Sequence, residues 1–125
     1  MKEIYAYNRE KAVLYARRWA FGRNPEYYDF TTLGGDCTNF ASQVLYAGTG
    51  VMNYQPVTGW YYVNVNSRTA SWTGVPFFYS FVTSNQGAGP FGKVVGLEDI
   101  QPGDFIQLNF DGERYAHTPV VVSVG

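Results

Sequence analysis

The clearest helical spacing lies in the chain before Gly50, and the clearest strand signals lie after Pro102. This segregation most limits the fold, because elements of one kind run together instead of alternating. Asn8 is placed to cap a helix whose apolar positions Ala12, Val13, Ala16, Trp19 and Ala20 recur at spacings of three and four. Gly22 and then Asn24-Pro25 stop it. After an aromatic-rich connector over 26–33, Gly34-Gly35-Asp36 opens a second helix over 37–47. Its apolar stripes are Phe40/Val44/Ala47 and Ala41/Leu45, and Gly48 is expected to close it. The stretch 49–96 has no strong period, although 75–82 reads as a short helix or strand. Pro102-Gly103-Asp104 forms a turn into a strand over 105–110, and Asp111-Gly112 is a hairpin signal. The return strand runs over 114–124, with Pro119 marking an edge, bulge or break beside His117. This order predicts the α+β class, with a cysteine-bearing helix packed on a small antiparallel sheet.

At 125 residues the chain is one domain, 1–125, able to bury one core without covalent staples. A composition 46% hydrophobic and 15% charged excludes an intrinsically disordered tail. Nine Lys and Arg against ten Asp and Glu give a formal charge of −1, with no basic run. Bulk electrostatic binding of nucleic acid or anionic membrane is therefore not expected. No apolar run is long enough to insert across a membrane, and Met1-Lys2-Glu3 does not begin a signal peptide. A lone Cys37 excludes an intramolecular disulfide, and with a lone His117 it excludes a zinc site of the usual Cys/His type. No metal or other cofactor is expected.

Cys37 falls in the first turn of the second helix, behind two glycines and Asp36. Unpaired backbone N–H groups and the positive end of the helix dipole favour a thiolate there. The same N–H groups can receive an oxyanion when a thiolate attacks a carbonyl. Asp36 opposes this with a neighbouring negative charge unless its side chain is engaged in capping. The alternative is that Cys37 is a small buried residue, as most free cysteines are. A thiol nucleophile needs a base, and His117 is the single imidazole in the chain.

With 11 Tyr, 9 Phe and 3 Trp, the chain is 18% aromatic. Phe77, Phe78 and Phe81 read as core. Trp60 and Trp72 stand beside Thr58-Gly59 and Ser71/Thr73-Gly74, settings that suit exposed loop rings flooring a groove for sugar or peptide. Asp99, Asp104 and Asp111 lie at turns or strand starts, where side chain-to-backbone hydrogen bonds are the usual reason for an acid.

The run from Gly34 to Gln43, GGDCTNFASQ, followed by Leu45, Ala47 and Gly48, resembles the GGDCTNF-x-SQ signature of the family called "putative amidase domain". The start Tyr7-Asn8-Arg9-x-x-Ala12-x-x-Tyr15-Ala16 is similar to that family's opening. Trp60, Ser71-Trp72, Pro102-Gly103-Asp104 and the His117 strand follow in order. The resemblance implies kinship with NlpC-type and CHAP-type cell-wall cysteine hydrolases and a papain-like fold. It implies Cys37 as nucleophile and His117 as general base, with Asp36 and Thr38 supporting the helix terminus and the oxyanion. The implied reaction is amide hydrolysis through a thioester, on peptidoglycan stem or bridge peptides, in an extracellular or cell-wall bacterial setting.

Two departures stand beside the resemblance. Relatives carry a third polar residue on a strand after the histidine strand, where this chain ends at Gly125, as a truncated domain would. Thr118-Pro119 follows the histidine where relatives more often have Ser and a non-proline residue. Two other functions fit the same residues. One is a non-catalytic module holding cell-wall glycan or peptide in an aromatic groove at Trp60 and Trp72. The other is an acyltransferase working through the same thioester.

Overall fold

The computed structural model describes residues 6–32, 35–106 and 118–124. Among them the architecture is mixed α and β, with four helices and a two-stranded antiparallel sheet. Helix α1 spans Arg9–Trp19 and α2 spans Cys37–Thr49. Strands β1 (Tyr62–Asn64) and β2 (Ser67–Arg68) pair antiparallel, and α3 (Ala70–Thr73) and α4 (Val75–Ser84) follow.

Helix α1 begins as its sequence predicts, with the Asn8 side chain accepting from the Lys11 N–H at 3.0 Å. Glu10 in the first turn and Arg17 and Arg18 in the last complement the helix dipole. Its buried residues are the small Ala12 and Ala16, which meet Val44 of α2 in one core cluster. Helix α2 runs past Gly48, contrary to expectation, and ends at Gly50, whose φ of 71° is the left-handed conformation of a helix cap. Gly48 has a different task. A Cβ there would lie 2.2 Å from the Tyr7 ring and 2.9 Å from the Asn8 carbonyl oxygen. The missing side chain lets the entry to α1 press against α2, and the Asn8 N–H donates to the Gly48 carbonyl at 2.9 Å.

The irregular middle folds around rings. Phe30, Leu45, Trp60, Tyr62, Trp72, Phe78 and Phe81 form one buried cluster. The centroids of Trp60 and Trp72 are 4.7 Å apart, and Phe81 stacks on Trp60 at 6.2 Å. The stretch at 75–82 is helical, with Val75, Phe78 and Phe81 on the buried face of α4. That spacing turns Phe77 outward, 58% exposed, which corrects its expected place in the core.

At the C-terminal end the Asp104 N–H donates to the Gln101 carbonyl at 3.0 Å. With Pro102 second and Gly103 third at a φ of 91°, this is the expected turn. Phe105 and Val120 form an isolated antiparallel bridge. It is extended by Ile106 N–H to Pro119 carbonyl (3.0 Å) and Val121 N–H to Asp104 carbonyl (2.9 Å). The remainder of the expected strand at 105–110, the Asp111-Gly112 turn and the start of the return strand lie outside the described residues. Phe105, Val120 and Val122 pack on the Ala12/Ala16/Val44 cluster, so the two helices and this antiparallel pairing share a core. Helix α1 also grips the pairing through Arg9, whose Nη1 donates to the Pro102 carbonyl (3.0 Å) and to Asp104 Oδ1 (2.6 Å).

Candidate active site

Cys37 is the first residue of α2 and is partly exposed. The first hydrogen bond inside the helix runs from the Phe40 N–H to the Asp36 carbonyl at 3.0 Å. The N–H groups of Cys37, Thr38 and Asn39 therefore stand ahead of the helical ladder. Asp36 occupies the cap position, yet its side chain makes no capping bond to them.

The Asp36 carboxylate is engaged elsewhere. Its Oδ1 accepts from the Phe30 N–H and from Asn39 Nδ2, each at 3.0 Å. Its Oδ2 accepts from Arg23 Nη1 at 2.8 Å. The same arginine reaches Asp29 Oδ1 through Nη2 at 3.2 Å. The hydrogen bond to Asp36 is the main cause raising the Arg23 guanidinium above its ordinary basicity. Asp29 is held below the usual carboxylate range, chiefly by hydrogen bonds from the Thr31 hydroxyl and the Thr31 N–H.

Asn39, fully buried, ties this cluster to the aromatic core. Its Nδ2 also donates to the Tyr28 carbonyl (3.1 Å), and its Oδ1 accepts from Trp72 Nε1 (3.0 Å). One turn further on, the Ser42 hydroxyl donates to the Trp72 carbonyl (2.8 Å) and accepts from Trp60 Nε1 (3.1 Å). Gln43 Oε1 accepts from the Tyr15 hydroxyl of α1. Burial pushes that phenol up to about 12, so it remains a donor well beyond neutrality. The polar letters of the GGDCTNFASQ run thus largely anchor α2 to what surrounds its N-terminus.

The indoles correct an expectation. Trp60 and Trp72 are both 0% exposed, and each spends its N–H on an α2 side chain. They are core rings and floor no surface groove, because tertiary packing closes over loops that sequence alone leaves open.

Thr38 and Thr118 are buried as well, at 1% and 2% exposure. Their hydroxyl oxygens are 3.3 Å apart, and the Thr38 oxygen is 3.9 Å from the Cys37 sulfur. The residue after Cys37 and the residue after His117 are therefore in direct contact across 80 positions of sequence. His117 itself lies outside the described residues. A cavity of about 840 Å³ is walled by Tyr7, Leu45, Phe78, Val82 and Phe105 among others. Cys37, Thr38 and Thr118 do not line it, so its size carries no weight in locating the thiol chemistry. The sequence marks Asn39 only as a letter of the motif and Thr118 only as a departure beside His117, and gives neither a role. For Asn39 a signal exists, since it stands one helical turn after Asp36. For Arg23 there is none.

The fold and site define a mixed α and β domain whose second helix opens on a partly exposed cysteine, with Asp36 and Asn39 hydrogen-bonded to each other beside it. The chain belongs to the family described as "Putative amidase domain", whose model matches residues 6–125. It is also similar to the uncharacterized protein YhbB of Bacillus subtilis (strain 168), 34% identical over 122 residues. That match covers 95% of this chain and 38% of the relative's length. No solved structure matches the chain.

Proposed function

We propose that the chain is a cysteine-dependent amide hydrolase with a papain-like arrangement, Cys37 acting as nucleophile and His117 as general base. The observation that carries this reading is the Thr38–Thr118 contact at 3.3 Å. Each threonine is the next residue after a proposed catalytic group, and neighbouring Cα atoms are about 3.8 Å apart across a trans peptide. A meeting of two chain segments one residue beyond both groups supports this pairing, because it brings the segments that carry them together.

The chemistry then runs in two halves. His117 takes the Cys37 proton, and the thiolate sulfur bonds to the amide carbonyl carbon. The carbonyl electron pair moves onto oxygen, and N–H groups of the first turn of α2 stabilise the oxyanion. The oxyanion collapses, the C–N bond breaks, and protonated His117 gives its proton to the leaving amine. Water, with its proton taken by His117, attacks the thioester, releasing the carboxylate and restoring the thiol.

The family's label supports amide cleavage as the reaction class. Peptides of peptidoglycan, met in a bacterial cell wall or outside the cell, are the substrate proposed from the resemblance to cell-wall cysteine hydrolases. The test is digestion of purified bacterial peptidoglycan and of its soluble muropeptides, with new amino groups counted and products weighed by mass spectrometry. New amines from the native protein, and none from Cys37→Ala or His117→Ala, are expected. Undiminished release by Cys37→Ala would end the reading.

A further inference from the structure

Asp36 poses a problem that its neighbours answer. A carboxylate next in sequence to a nucleophilic thiol raises the free energy of the thiolate, since like charges repel. The acid nonetheless has a structural task. Its Oδ1 ties the Phe30 N–H and Asn39 Nδ2 to the start of α2. Through Asn39 the same tie reaches the Trp72 indole. The remaining oxygen, Oδ2, faces Arg23 at 2.8 Å.

We propose that Arg23 is a positioning residue of the Cys37 site, holding and compensating the Asp36 carboxylate so that the neighbouring thiolate can form. The proposal rests on the reading of Cys37 as nucleophile. Arg23 comes from the loop after α1 and keeps 40% of its side chain exposed, so its principal contacts are the two acids. Among the described residues, the charged groups tied together at this corner are Arg23, Asp36 and Asp29, the last also bound by Thr31. Thr38, Asn39 and Thr118 contribute neutral groups. His117 of the proposed mechanism is common to every variant below. A guanidinium suits the task because its planar fork can meet two carboxylates at once.

The experiment is alkylation of the single thiol by iodoacetamide across pH, which needs no substrate. Arg23→Gln is expected to react about fivefold more slowly than the native protein near neutral pH, a modest effect because the pair is partly solvated. Arg23→Lys retains the charge and should stay within about twofold. Arg23→Gln with Asp36→Asn should regain the native rate or exceed it, because the uncompensated charge is gone. At pH about 10 all variants should converge, because strong alkali removes the difference in thiolate formation that the neighbouring charge makes.

Three results would overturn the proposal alone: a native rate in Arg23→Gln, a slow rate in the double variant, or a deficit persisting at pH about 10. If Arg23→Gln does not fold, Asp36→Asn decides, because slower alkylation in that variant contradicts the proposal. A native protein that reacts no faster than a free cysteine would remove the nucleophile reading and the proposal together, a result distinct from the other three.

Discussion

Thr38 and Thr118 join hydroxyls at 3.3 Å in a site closed to solvent, linking the start of α2 to the segment that pairs with Phe105. Replacing either one by valine keeps the shape and takes from the other hydroxyl its 3.3 Å partner, at a cost of about 1–3 kcal/mol, the smaller loss being expected for Thr118→Val because Thr38 keeps the Cys37 sulfur at 3.9 Å. Replacing both removes the pair and its desolvation together, so the double variant should lie near the native stability. Urea denaturation of the four proteins checks this through the coupling energy of the cycle. On the proposed mechanism the double variant, though stable, is expected to release amines from peptidoglycan more slowly than the native protein.

Gly48→Ala tests the approach of α1 and α2. Alanine is the better helix former by about 1 kcal/mol. Its Cβ would nevertheless stand 2.9 Å from a backbone oxygen that cannot rotate away, besides meeting the Tyr7 ring. Overpacking of this kind costs about 1–3 kcal/mol, so a net destabilisation is expected. A raised thermal midpoint would refute the close approach.

Trp60→Ala separates a core ring from a binding ring. The side chain is fully buried between Trp72 and Phe81 and donates to Ser42, so truncation should cost about 3–5 kcal/mol. The loss should appear in denaturation without any ligand. A variant as stable as the native protein, impaired only in binding glycan or peptide, would restore the surface groove.

Alkaline pH should weaken the fold through its buried phenols. Burial raises Tyr15 from 10.0 to about 12, and raises Tyr7 and Tyr27 further. The unfolded chain therefore begins to lose phenol protons near pH 10, where the folded chain still holds them. Stability from this source is complete below pH 10 and is lost as pH rises through about 12. Denaturation midpoints at intervals above pH 9 should fall, and Tyr15→Phe should flatten the slope. A flat profile in the native protein would contradict the burial of these hydroxyls.

Much of the helical half was legible because its causes are local. Asn8 and the Ala12/Ala16 spacing are enough to place α1, and Gly35-Asp36 before an apolar stripe is enough to start α2 at Cys37. The end of α2 was misread at Gly48 because a glycine at a close approach and a glycine at a cap look alike in sequence. What distinguishes them is Tyr7, far away along the chain. The middle resisted for a related reason. Its rings follow no single period, and Trp60 and Phe77 are told apart only by what closes over each.

By its sequence alone, this protein has the starts of α1 and α2, its mixed α and β class, its family and the position of its single thiol. The order of elements differs from the expected one, because β1, β2, α3 and α4 all fall in the stretch over 49–96 that shows no strong period. Tertiary structure decided the rest. It turned Asp36 from a cap into a tie between Arg23, Phe30 and Asn39, buried both indoles, and brought Thr118 to Thr38. Apart from the Asp36–Asn39 bond, three residues apart, those outcomes depend on partners 6 to 80 residues distant, and a hydrogen bond or a buried face exists only once both partners occupy the same space.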